Sequence, residues 1–180
     1  MLKEDFLTLY NELIKRGYEE EIDWSENLQP CTNFADFCRE YIWVILNAGM
    51  KNQVARKIYN RVIGAITENK SANDVFHHKG KAGAIDYMYQ NCEKVFQQYQ
   101  TAQNKLQFLE GLPWIGQITK YHLAKNLGFD TAKPDRHLVR IAKQFDMTCF
   151  ELCKKLSKEM GLRIATIDVV LWRAANLGLI

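Results

Sequence analysis

Proline is scarce in this chain: three residues in 180, Pro30, Pro113 and Pro134. Long stretches therefore run without a helix breaker. No apolar run approaches the roughly 18 residues that cross a bilayer, so no membrane partner is expected. Cysteine is present but unpatterned. The five thiols, Cys31, Cys38, Cys92, Cys149 and Cys153, are odd in number and form no C-x-x-C pair. The opening, MLKEDFLTLYNELIKRG, sets acids among its leucines, unlike a secretory signal. These features point to a cytoplasmic protein with buried or free thiols rather than a disulfide framework. Cys149 and Cys153 stand at i, i+4, close enough to share a ligand. Two thiolates do not complete a tetrahedral site, and no histidine falls at ligand spacing around them, so no metal is expected there. Also lacking are alternating strand patterns, internal repeats, low-complexity tracts and any linker rich enough to divide the chain.

What is present is helical periodicity, in a chain that is 47% hydrophobic and 25% charged. That balance reads as globular, with length enough for one domain and a real core, in two lobes. Leu2, Phe6, Leu9, Tyr10, Leu13 and Ile14 form a first stripe, ended by Gly17. After an acidic loop and Pro30, a second stripe runs through Phe34, Phe37, Tyr41, Ile42, Ile45 and Leu46, with Thr32 or Asn33 as cap. Val54, Ile58, Val62 and Ile66 continue a third beyond Gly49. Ser71 to Asp74 is a capping-box pattern for a short helix. Further helices are expected over residues 82–99, 102–109 and 115–127, then from Pro134 to about Phe145. Thr148 and Glu151 form another capping box, leading a helix to about Met160, and residues 163–177 make the last. The expected class is all-α, with about nine or ten helices.

Charge is unevenly spread. Residues 1–40 hold 4 Lys/Arg against 10 Asp/Glu, whereas residues 41–104 hold 8 against 4 and residues 105–163 hold 11 against 6. The acidic start turns away from polyanions or covers something; the later chain has the sign to face phosphate, or is simply a solvated mixed surface.

One segment carries more. In LEGLPWIGQITKYHLAKN, residues 109–126, a proline and a glycine punctuate a turn between two short helices. A helix start leaves backbone N–H groups pointing outward, a seat for an anion. Gly116 would let a phosphate oxygen reach them without meeting a Cβ, or it is plain punctuation in a helical hairpin. In GFDTAKPDRHLVRIA, Asp135 follows Pro134 in the first turn of the next helix, where an acid also suits the helix dipole.

The whole run from Leu112 to Ala142 resembles the helix–hairpin–helix (HhH-GPD) DNA glycosylase superfamily. Members carry an L-P-G-[IV]-G-x-x-T-A hairpin and, about twenty residues on, an aspartate opening the next helix. Leu112, Pro113, Ile115, Gly116 and Thr119 match the hairpin, Asp135 lies 19 residues past Gly116, and His137 and Leu138 complete a D-x-H-[IVL] pattern. EYIWVILNAGMKNQVARKIYNRV, from Glu40 to Val62, looks like the family's second helix and following turn. The likeness spans roughly residues 34–145 of a single two-lobed domain covering residues 1–180. Its hairpin is residues 102–127 and its aspartate helix residues 134–145.

The resemblance implies a monofunctional DNA glycosylase acting on double-stranded DNA as a monomer. Asp135 is then the catalytic carboxylate. It stabilises the positive charge that develops on the sugar and orients the attacking water, once the base has left the stack. Leu112, Trp114, Gly116, Gln117, Ile118 and Thr119 would contact the DNA backbone. Lys125, Lys133, Arg136 and Arg140 are phosphate partners or solvated surface charges. Met50, Asn52 and Gln53 are candidates to fill the space left by the base, or are helix-start surface residues. Trp43 and Trp172, with Tyr87 and Tyr89, could line a base pocket, although stripe aromatics are usually core. Asp168, an acid in an apolar run, would read a base edge or, the preferred reading, pair with an arginine. No cofactor is implied, beyond a monovalent or divalent ion that hairpin backbone carbonyls could hold.

The chain departs from the family in three places. Trp114 replaces the first hairpin glycine, so either the backbone turns differently or the indole lies over sugar or packs. Ile118 stands where strand-cutting members have a lysine, and Lys120 is about 200° around the helix from it, so lyase chemistry is not expected. No four-cysteine pattern for an iron–sulfur cluster follows Asp135. Two other functions fit the same motifs. One is a phage-type enzyme that transfers an amino-containing group to a modified thymine without releasing the base, since A-K-P-D-R-H-L is as near to that branch. The other is a non-catalytic DNA-binding module.

Overall fold

The computed structural model describes Met1 and residues 3–180. Leu2, the first member of the first stripe, lies outside the described residues. Among the described residues there are ten α-helices, one 3-10 helix and no strand. In chain order they are α1 (Lys3–Lys15), α2 (Glu19–Asn27), α3 (Phe34–Asn47), α4 (Asn52–Thr67), the 3-10 turn Ala72–Asp74, α5 (Lys79–Thr101), α6 (Lys105–Glu110), α7 (Thr119–Asn126), α8 (Arg136–Lys143), α9 (Cys149–Met160) and α10 (Ile164–Asn176). They form two compact units. Residues 31–127 make one; residues 1–30 and 128–180 together make the other.

The expected acidic loop is a helix. Glu19, Glu20 and Glu21 occupy the first turn of α2, where the positive end of the helix dipole favours acids. Only Ile22 and Ser25 of this helix are buried, so its apolar stripe is too thin to announce it. Both capping boxes are present, at Ser71 with Asp74 and at Thr148 with Glu151. Asn33 rather than Thr32 caps α3, its side chain accepting the Asp36 N–H.

In the unit of residues 31–127, α3 supplies the centre. Phe37, Tyr41, Ile42, Val44, Ile45 and Leu46 are buried, packed with Ile85 and Met88 of α5. The 3-10 turn is tied to α5 by Asp86, whose carboxylate accepts from the Ser71 hydroxyl at 2.6 Å and the Ala72 N–H at 2.7 Å. Lys81, buried on α5, donates its ammonium to the Ala48 carbonyl at 2.9 Å, and burial lowers its pKa. That bond satisfies a carbonyl at the end of α3 while giving a buried cation an acceptor.

In the other unit α10 is the spine, buried without a break from Ala165 to Leu171. Phe6 and Leu13 of α1, Ile22 of α2, Leu138 and Ile141 of α8, and Leu152 and Leu156 of α9 pack around it. The Arg163 guanidinium joins the unit's two chain segments. It donates to the carbonyls of Ser25 (2.7 Å), Leu28 (2.9 Å) and Gly128 (2.8 Å). Gly128 has φ +83°, and a Cβ there would lie 2.4 Å from the Gln29 carbonyl oxygen. Only glycine fits where those segments pass.

Candidate functional site

The hairpin belongs to the unit of residues 31–127. Its helices are shorter than expected: α6 covers Lys105–Glu110 instead of 102–109, and α7 covers Thr119–Asn126 instead of 115–127. The turn between them is therefore residues 111–118. Ile115, buried, anchors it in the core, and Leu112 packs partly against the same cluster. From beneath, the fully buried Tyr41 donates its hydroxyl to the Pro113 carbonyl at 2.8 Å. Burial pushes the Tyr41 pKa up, so the phenol stays a donor.

Trp114 answers the question raised by its missing glycine. Its φ is +61°, the left-handed region that glycine favours. The backbone takes the glycine-like conformation, with an indole attached. That indole meets His78 edge-on, ring centroids 5.0 Å apart, and lies on the backbone of α5 at Gly80. Half of Trp114 remains exposed.

Gly116 is not itself among the outward donors. Its N–H is taken by the Thr119 hydroxyl at 2.7 Å. A Cβ at 116 would meet nothing nearer than that hydroxyl at 4.0 Å. The outward donors lie just beyond it. Helix α7 has no side-chain cap, and the N–H groups of Gln117, Ile118 and Thr119 find no acceptor among the described residues. Ile118 is exposed. Lys120 is engaged elsewhere, its ammonium 2.5 Å from the Glu110 carboxylate.

The remaining candidates in this unit divide. Met50 packs against the core, whereas Asn52 and Gln53 are exposed at the start of α4. Trp43 packs edge-on against Tyr59 at 5.8 Å, with the Arg56 guanidinium over its ring at 4.2 Å. Below it, Glu40 accepts from the Asn126 amide at 2.7 Å, and burial raises its pKa. Tyr87 and Tyr89, candidates for a base pocket or for the core, are exposed on α5 and so are not core residues. Lys125 is part-buried near the end of α7.

Asp135 belongs to the other unit. It stands not in the first turn of a helix from Pro134 to Phe145 but as the N-cap of α8, which runs Arg136–Lys143. Its Oδ1 accepts the N–H groups of His137 and Leu138, both at 3.0 Å. Its other oxygen accepts no hydrogen bond among the described residues, and the residue is only part-buried. One oxygen is thus held rigidly while the second is available to a ligand.

The loop that delivers Asp135 is strapped to α10 at three points. Arg163 reaches the Gly128 carbonyl, the Ala165 N–H donates to Asp130 at 2.9 Å, and the Lys133 N–H donates to Asp168 at 2.5 Å. The Asp135 N–H then closes back on the Lys133 carbonyl at 2.8 Å. Asp168, 2% exposed, therefore holds the backbone two residues before the candidate catalytic carboxylate. Arg173, further along α10, grips Glu21 through two bonds of 2.8 Å. Nothing in the sequence linked Asp168 to Asp135; only the loop's path along α10 does. The Cys149 thiol reports the neighbourhood: burial first, then the charges of Asp168 and Asp135, push its pKa up to about 11.

Arg136 is exposed beside Asp135, and Arg140 is tied to the Ile180 carbonyl at 2.9 Å. Lys133 and Trp172 are part-buried, the indole with the Arg173 guanidinium 4.7 Å from its ring. Among the described residues no three His, Cys, Asp or Glu side chains are grouped to hold a metal ion, and no helix is long and apolar enough to cross a membrane. No family model, curated protein or solved structure matches this chain.

Proposed function

We propose that this protein is a monofunctional DNA glycosylase of the helix–hairpin–helix type. It binds double-stranded DNA through the hairpin and hydrolyses an N-glycosidic bond with Asp135. The observation that carries this reading is the Asp135 carboxylate. One oxygen is fixed by two backbone N–H groups, the other is unengaged, and the residue is reached by solvent. Such a carboxylate can face a sugar that becomes cationic as the base departs and can orient water for attack. Supporting it, the hairpin turn leaves three successive N–H groups without acceptors, suited to a phosphate oxygen. Ile118 lies in the turn and Lys120 is bound to Glu110, so neither position offers an amine for a Schiff base, which supports the water-attack route.

The test is incubation with duplexes carrying alkylated, deaminated, oxidised and phage-type modified bases, followed by mass spectrometry. Free base plus abasic DNA is the expected product, and borohydride should trap no covalent adduct. Intact DNA of altered base mass would replace hydrolysis by group transfer to the base. No product on any duplex, with binding intact, would leave a DNA-binding module. Binding should weaken with salt at a slope of about −0.9 per phosphate contacted, and a flat response would count against DNA altogether.

A further inference from the structure

Trp114 is held against local preference. A bulky residue at φ +61° is strained, and strain of this kind persists only where the surroundings enforce it. Three features of residues 31–127 enforce it here. Tyr41 fixes the Pro113 carbonyl just before it, Ile115 is buried just after it, and the indole is seated on α5. The seat requires glycine at 80: a Cβ there would lie 2.5 Å from the indole Cζ2 and 3.3 Å from Cε2. His78, which also caps α5 by accepting the Lys81 N–H, supports the ring from a second direction. Yet the indole is not a core group. Trp114 is 50% exposed, and its Nε1–H donates to no acceptor among the described residues. The donors of Gln117, Ile118 and Thr119 open three residues further along the same turn.

We propose that Trp114 and Gly80 together form a nucleic-acid contact peculiar to this chain. The indole, laid on the glycine as a rigid ledge, packs against the deoxyribose next to a phosphate seated on the hairpin N–H groups. The proposal rests on the reading that the hairpin binds DNA. Its chemistry favours that occupant: a flat apolar surface beside unpaired donors, with no carboxylate in the turn between Glu110 and Thr119, matches a sugar flanked by a phosphodiester. An indole already immobilised loses little freedom on binding, which favours a contact worth keeping despite the strain.

The experiment compares Trp114→Gly, Trp114→Phe and Gly80→Ala with the native chain, by fluorescence anisotropy on a labelled duplex and by thermal melting. Trp114→Gly should bind about ten-fold more weakly while its melting temperature holds or rises, because glycine relieves the strain. Gly80→Ala, which leaves residue 114 intact and displaces its indole, should weaken binding to a similar degree. Trp114→Phe should lie between. The salt slope should be unchanged in all three, since no charge is removed. Native affinity in both Trp114→Gly and Gly80→Ala would overturn the ledge while leaving the DNA reading standing. A native chain that binds no duplex would overturn both. A parallel fall in affinity and melting temperature in Trp114→Gly would make the residue a packing element and also sink the proposal.

Discussion

Helices α7 and α8 begin in opposite ways. Before α7 the Thr119 hydroxyl accepts the Gly116 N–H, and the next three N–H groups are left open among the described residues. Before α8, Asp135 closes two N–H groups with a single oxygen and presents the other. The first start is short of an anion; the second supplies one. A helix terminus is the same physical object in both places, a set of donors with partial positive charge, and the side chain at the cap decides what it attracts. An uncapped start suits phosphate. A carboxylate-capped start, with a spare oxygen, suits a developing cation.

The sharpest way to break this contrast is at Asp135. Asparagine caps a helix about as well as aspartate, so Asp135→Asn should melt like the native protein. On the proposed reading, base release measured in single turnovers should nonetheless fall about a thousand-fold, the scale of losing one preorganised electrostatic group. On the same reading DNA affinity should hold or rise, because a negative charge that would face the polyanion is lost. Lost binding would make the residue structural. Asp135→Ala removes the cap as well, and urea unfolding should register a further cost of about 1 kcal/mol.

The next effect lies beneath the loop. Asp168→Ala deprives the Lys133 N–H of its acceptor and should cost about 1–3 kcal/mol in urea unfolding, with base release reduced in folded protein. A stability loss with the rate unchanged would separate Asp168 from the placing of Asp135. At the other helix start, Thr119→Val should cost about 1 kcal/mol by removing the bond to Gly116, with duplex affinity changed less than three-fold, because the three open donors remain.

The smallest effect is a titration. The Cys149 thiol, with a pKa raised to about 11, stays protonated well past pH 9, and its chemical shift should report this in cysteine-labelled protein. The unfolded thiol ionises first, so this group favours unfolding progressively as pH climbs from about 9 toward 11 and has no such effect below that range. Asp135→Asn should bring the Cys149 midpoint slightly down, since the Asp135 charge is one of the causes that raise it. An unmoved midpoint would place the carboxylate farther from the thiol than the structure does.

Local chemistry wrote much of this molecule into its sequence. The all-α class followed from helical periodicity and sparse proline. The two capping boxes, a cap at Thr32 or Asn33 and the positions of most helices followed from side chains that bond their own backbone within a few residues. Asp135 and the hairpin turn stood out as candidates because each lies within a short stretch of sequence. Helix α2 escaped notice, since three glutamates and one buried isoleucine make no stripe. What only the tertiary structure decided were relations across distance in the chain: the indole of Trp114 on Gly80, the Tyr41 hydroxyl under Pro113, and the Asp168 carboxylate on the Lys133 N–H. The reason is physical. A cap is satisfied by neighbours a turn away, whereas a buried hydroxyl or carboxylate takes whichever donor or acceptor the packing of other helices brings to it.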